Sequence, residues 1–182
     1  MKKTSKLKTG LVLIALLATG ANAYVVVQPK FKKGSIFGIQ AKSVSFDDKL
    51  QVDESPVYGI YYGFNWDFGD PGAWGVKINF ELDFGNMKDS EGANFTYSDY
   101  YATVAPTYTF AAGNGNVKVY AGGKFGFVGF ENDSDPAYGA IAGVEYNYNA
   151  LNVGISYMNG TITTNTGDFD ISEVTGYIGY NF

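Results

Sequence analysis

The chain has 182 residues with no cysteine and no histidine, and its 13 basic residues stand against 18 acids for a formal charge of −5. That length suits one domain rather than two. The acidic balance excludes a basic surface of the kind that binds nucleic acid. The missing cysteines exclude a disulfide scaffold and thiolate metal sites.

The first 23 residues read as a secretory signal peptide. Lys2, Lys3, Lys6 and Lys8 form a positive start, Leu11 to Ala18 an apolar run, and Ala21-Asn22-Ala23 a small-x-small cleavage site. The run is far short of the roughly 20 residues that a spanning helix needs. The expected division is therefore leader 1–23 and domain 24–182. Removing four of the 13 basic residues leaves nine against 18 acids, a mature formal charge of −9.

Tyr24 to Lys33 is a short lead-in, and eight strands follow. The first spans about Ser35 to Ser45, with Phe37, Ile39 and Ala41 opposite Gly38, Gln40 and Lys42. The second, about Pro56 to Trp66, sets Tyr58, Ile60, Tyr62, Phe64 and Trp66 on one face, and the turn Asp67 to Gly72 closes it. In the third, Trp74, Val76, Ile78, Phe80, Leu82 and Phe84 alternate with Gly75, Lys77, Asn79, Glu81 and Asp83. A helix would spread those apolar residues around its axis, whereas a strand separates them cleanly. A polar loop, Gly85 to Tyr97, leads to a fourth strand from Tyr100 to Phe110, where Pro106 predicts a bulge or local irregularity. The fifth sets Val117, Val119, Ala121, Phe125 and Phe127 against Lys118, Tyr120, Gly122, Lys124 and Gly126. Glu131 to Pro136 is read as an acidic loop, and the sixth strand carries Tyr138 to Tyr148. A minimal turn at Asn149-Ala150 opens the seventh, Leu151 to Met158, and Gly160 to Asp170 is the last loop.

The closing strand, Ile171 to Phe182, places Val174, Gly176, Ile178, Tyr180 and Phe182 on one face and Glu173, Thr175, Tyr177, Gly179 and Asn181 on the other. This terminal pattern resembles the last strand of bacterial outer-membrane β-barrels, and the whole chain resembles the small eight-stranded class of the OmpA transmembrane domain and OmpX. The resemblance implies an all-β fold, a closed eight-stranded antiparallel up-and-down transmembrane β-barrel. It also implies that Tyr180 and Phe182 form the assembly signal read by the barrel-assembly machinery, with periplasmic chaperones as earlier partners.

Two regularities agree. Connections after strands two, four and six are tight, and those after one, three, five and seven are polar and mostly longer, which places both termini in the periplasm. Trp66, Trp74, Phe110, Tyr148, Tyr180 and Phe182 gather at one end of the apolar faces, and Tyr58, Phe84, Tyr100, Phe127, Tyr138 and Tyr157 at the other. Paired aromatic girdles mark the two interfaces of a bilayer. The bulky face must point outward, because an eight-stranded barrel has room inside only for its own side chains. A lipocalin-like soluble barrel would need those rings inside.

The inward faces then carry Lys42, Lys77, Lys118 and Lys124 with Glu81, Asp83, Glu145 and Glu173. An orphan buried charge costs on the order of several kcal/mol, so pairing is expected: Lys42 with Glu173, Lys118 with Glu145, and Lys124 with Glu81 or Asp83. The outer loops hold twelve acids (Asp47, Asp48, Asp53, Glu54, Asp89, Glu91, Asp99, Glu131, Asp133, Asp135, Asp168 and Asp170) against Lys49 and Lys88. They suit a solvated surface, or divalent-cation bridging to lipopolysaccharide. Pro136 and Ala142 break the calcium-loop pattern that Glu131, Asp133 and Asp135 begin, so no metal site and no cofactor are expected. Without histidine, Ser-His and Asp-His catalysis is excluded, and no enzyme is expected. The function expected is a monomeric outer-membrane barrel with a structural or surface-interaction role, its partners being membrane lipid and lipopolysaccharide. The alternative is a narrow porin-like channel for ions or small solutes.

Overall fold

A computed structural model describes residues 34–47, 52, 55–68, 73–89, 91–131 and 133–182. The expected leader, 1–23, and the expected lead-in, 24–33, lie outside them. Eight strands follow one another: β1 (Gly34–Phe46), β2 (Ser55–Asp67), β3 (Ala73–Lys88), β4 (Asn94–Ala112), β5 (Gly115–Phe130), β6 (Asp133–Tyr148), β7 (Leu151–Thr164) and β8 (Gly167–Asn181). Each pairs antiparallel with the next, and β8 returns to β1, so the sheet is a closed up-and-down barrel. Closure removes the free edges that an open sheet would present.

The stagger of the ring can be followed from Ile36. Its partners run Gly63, Asn79, Thr103, Lys124, Gly139, Gly160 and Ile171, and the path returns to β1 at Phe46, ten residues beyond its start. With a rise of about 3.3 Å per residue and a strand spacing of about 4.8 Å, a stagger of ten over eight strands tilts them by about 40°. Every ladder keeps one register throughout. Pro106 leaves Ala105 and Pro106 out of the β4–β5 ladder, yet Val104↔Gly123 and Thr107↔Tyr120 share a register. The irregularity is present, and no residue is inserted. Proline removes one donor here without displacing the strand.

The loops correct the sequence reading. β3 and β4 remain paired out to Lys88↔Asn94, so Gly85 to Tyr97 is hairpin rather than loop. Asp89 closes it, its carboxylate accepting from the Glu91 and Ala93 amides at 2.9 and 2.8 Å, and Gly92 takes φ 83°. The Glu131–Pro136 segment is largely β6, with Phe130 opposite Asp133, and Gly160–Asp170 is β7 and β8 joined through Asn165 and Thr166. The β5–β6 and β7–β8 connections are as short as those at Gly113-Asn114 and Asn149-Ala150, two residues each, while the β3–β4 connection has five. The end away from the termini keeps longer connections after β1 and β3, 47–54 and 89–93, and is distinguished further by strands that run beyond the apolar belt.

Side-chain parity is constant along each strand, with the bulky groups outward as expected: Ile39 is 61% and Phe80 51% exposed, while Lys77 and Asp83 are fully buried. The chemistry of the two faces nevertheless exchanges near the far end. On β3 the outward series ends its apolar run at Phe84 and continues as Asn86 and Lys88, while the inward series passes from Glu81 and Asp83 to Met87. On β7 the outward Val153, Ile155 and Tyr157 give way to Asn159, Thr161 and Thr163, while the inward Asn152 and Ser156 give way to Met158 and Ile162. Beyond the far aromatic girdle, therefore, the barrel has polar residues outside and apolar residues within, the pattern of a water-soluble barrel.

Candidate functional site

The lumen is built in layers because each strand contributes every second side chain to it. At the end near the termini lie amides and one ion pair. Asn152 donates to Asn147 at 2.8 Å and accepts from the Tyr61 hydroxyl at 3.0 Å, and Lys118 Nζ stands 3.1 Å from Asp67. Above them Lys77 bonds the Glu145 carboxylate and lies 4.5 Å from the Tyr120 ring centroid and 5.0 Å from that of Tyr177. Tyr177 donates to the same carboxylate at 3.1 Å.

The middle layer joins six charges. Lys42 lies 2.6 Å from Asp83, 3.1 Å from Asp99, 3.5 Å from Glu81 and 3.7 Å from Glu173. Lys124 bridges Glu81 at 2.8 Å and Glu173 at 2.6 Å, its ammonium 4.3 Å from the Tyr101 ring centroid. Gln40 donates to Asp83 at 2.7 Å, and Tyr97 to Asp99 at 2.9 Å. Charges removed from water need such multiple partners to persist.

The far third of the lumen is apolar. Val44, Val57, Met87, Val128 and Ile162 are fully buried and Ile171 nearly so, with Phe46, Phe95, Phe130 and Val52 packed against them. Val52 reaches this layer from the β1–β2 connection by bridging to Asp89. Polar side chains inside a membrane-embedded barrel are readily anticipated, but this cap was not. Met87, Phe95 and Ile162 lie in segments read as loops, whereas Val44, Val57 and Ile171 lie at the far ends of segments read as strands.

All eight charges expected in the lumen are buried there. Lys42 and Glu173 meet, though Lys42 stands closer to Asp83 and Asp99. Lys124 reaches Glu81. Lys118 and Glu145 stand opposite in register, but Glu145 receives Lys77 from β3 and Lys118 has Asp67 at hand. Asp99, assigned above to an outer loop, is instead fully buried on β4, because that strand extends beyond Tyr100 and keeps Tyr97, Asp99 and Tyr101 on the inward parity. Asp67, read as a turn residue, is likewise an inward position, two after Asn65. Tyr180 and Phe182 point outward, 61% and 66% exposed, and Phe182 exchanges both backbone hydrogen bonds with Ser35 at 3.0 and 3.1 Å. The last residue thus takes part in closing the ring.

Solved structures share this architecture. Ail of Yersinia pestis, crystallised with the heparin analogue sucrose octasulfate, is 17% identical with a TM-score of 0.53, over 82% of this chain and 97% of that one. Neisserial surface protein A is 12% identical with a TM-score of 0.51, over 82% and 97%. OprG from Pseudomonas aeruginosa is 14% identical with a TM-score of 0.51, over 86% and 99%. The fold is that of the small outer-membrane barrels. No protein-family model and no curated protein matches the chain. At such identities the likeness concerns the fold, and what the barrel does must be argued from its own side chains.

Proposed function

We propose that this protein is a sealed, non-conducting barrel of the bacterial outer membrane. Its termini lie in the periplasm, and its protruding far end is a rigid acidic rim for contacts at the cell surface. The apolar cap carries this reading. A polar lumen could pass water and ions between its charges, whereas a dry layer of Val, Ile, Met and Phe above them offers an ion no partner and a Born penalty. A solute path would have to cross both layers.

Orientation follows from the same layering. The polar exterior begins beyond the girdle of Phe84, Tyr100, Phe127 and Tyr138, so that end stands in water. The opposite end, with Trp66, Trp74, Tyr148 and Tyr180 at its rim, closes on short turns, as periplasmic ends do. Insertion in that sense requires export, in keeping with the leader 1–23. The Tyr180–Phe182 end is the segment that the assembly machinery and chaperones would engage. The reading is non-enzymatic.

Refolded into planar bilayers, the protein should give no sustained single-channel current, at neutral pH and moderate salt alike. Steady current steps in most insertions would overturn the sealed-lumen reading in favour of the narrow channel. The rim leads to a second expected outcome. Glu91, Glu131, Asp133, Asp168 and Asp170 are exposed there, with Lys88 the exposed cation among the described residues. Although Ail was crystallised with a sulfated sugar, sucrose octasulfate should show no saturable binding to this chain by calorimetry at physiological ionic strength, because like charges repel it. Saturable binding would assign the rim a different partner class.

A further inference from the structure

The outward belt is interrupted on β5 and β6. Ala121 faces Ala142 and Gly123 faces Ala140, so four small residues adjoin where the neighbouring positions carry Phe125, Tyr138, Tyr157 and Val104. A depression of about 530 Å³ lies over Gly123 and Ala140, between the rings of Phe125 and Tyr138 and the β7 edge. A Cβ built on Gly123 would meet no atom within 4 Å, so the space is open.

A separate observation concerns the upper edge of this depression. Asn159, opposite Ala140, points outward one side-chain row below Tyr138, and its amide makes no hydrogen bond among the described residues. Beyond it Thr161 pairs with Asp170, and all three border the same depression. An amide at the level of an aromatic girdle, facing away from the barrel, needs a polar partner from the surroundings. The far girdle is complete on β3 to β6 but lies lower on β7, where it ends at Tyr157. Polar groups therefore dip into the belt beside this dent.

We propose that this dent holds one lipid of the outer leaflet, its acyl chain against Gly123 and Ala140 between the Phe125 and Tyr138 rings. Its headgroup, bearing an amine or hydroxyl donor, bonds the Asp170 carboxylate and the Asn159 amide. The position suits a lipid: hydrocarbon surrounds the floor, and water begins at the Asp170 row. The chain supplies dispersion contacts that the missing side chains leave open, and the acid selects a head that can donate.

The test uses the full mature chain in nanodiscs made of equal parts phosphatidylethanolamine and phosphatidylcholine with identical acyl chains. After gentle release into a native mass spectrometer, the barrel should retain a single lipid. The ethanolamine form should be enriched roughly fivefold, the worth of one net hydrogen bond. Gly123→Leu combined with Ala140→Leu fills the dent and should abolish retention. Heat-dependent gel mobility verifies that this variant is folded. Asn159→Val with Asp170→Asn, both exposed side chains, should keep a lipid but lose the preference. Absence of a retained lipid in the wild type, equal retention of the two lipids, or unchanged retention in the filled variant would each overturn the proposal. A dimer that sheds its lipid would assign the dent to a second barrel and overturn it as well. The inference rests on the belt facing hydrocarbon. Failure to insert into the discs would overturn that reading, whereas insertion without retention overturns this one alone.

Discussion

Replacing Lys124 by Met should destabilise the barrel by about 3–5 kcal/mol, the usual cost of stripping one partner from a buried ion pair. Lys124 is 1% exposed and is the nearest cation to both Glu81, at 2.8 Å, and Glu173, at 2.6 Å. Without it the two carboxylates would depend on Lys42, which stands at 3.5 and 3.7 Å from them and already serves Asp83 and Asp99. Met preserves most of the side-chain volume, so the loss would report charge rather than a cavity. The midpoint of urea unfolding in lipid vesicles, converted through the slope, measures it. Adding Glu81→Gln and Glu173→Gln to Lys124→Met should recover most of the loss, because amides need no counter-charge, and the excess over additivity measures the coupling. Lys88→Met, on the exposed rim, should stay within about 0.5 kcal/mol of the wild type. A Lys124→Met variant as stable as that control would show that the middle layer does not hold the lumen together.

The architecture was legible because hydrocarbon outside and a narrow lumen inside impose alternation on every strand, and nowhere more plainly than from Trp74 to Phe84. The same rule explains where the reading failed. On β3, β4 and β7 the apolar outward face stops near Phe84, Tyr100 and Tyr157, where the membrane ends, whereas the strands themselves run to Lys88, Asn94 and Thr164. Past Phe84 the outward residues become Asn86 and Lys88, and the inward Met87 then resembles an isolated apolar residue in a polar loop. The alternation had not stopped; its two faces had exchanged solvents. Asp99 was misplaced for this reason, since it lies just beyond Tyr100 in a segment with a polar outward face, yet it shares parity with Tyr101 and Thr103. Following parity instead of hydropathy would have placed Asp99 and Asp67 in the lumen. The partner of each lysine was less accessible. Lys77 reaches Glu145 from β3 to β6, across the lumen rather than along a ladder, and the choice depends on side-chain length and on the Tyr120 and Tyr177 rings that flank the ammonium.

Substitutions at two adjacent positions of β3 should therefore have opposite outcomes. Asn86→Lys adds a charge to an exposed residue on the polar exterior of the protruding end and should change stability by less than about 0.5 kcal/mol. Met87→Lys puts the same charge into the apolar cap, where Met87 is fully buried, and should cost several kcal/mol, on the order of an uncompensated buried ion. Seven residues before it, Phe80→Lys introduces the charge on the outward face in the middle of the belt and should cost about 2–4 kcal/mol. On this one strand the costly face is thus outward in the membrane and inward above it. β7 repeats the test, with Thr163→Lys tolerated and Ile162→Lys not. Unfolding midpoints in vesicles of one lipid composition compare all five. A belt that continued to the tip would reverse the order of Asn86→Lys and Met87→Lys, and a tip without an apolar core would make both harmless. The expected order requires a barrel that changes solvent part-way along its length, with the cap sealing the lumen because it is the core of the half that stands in water.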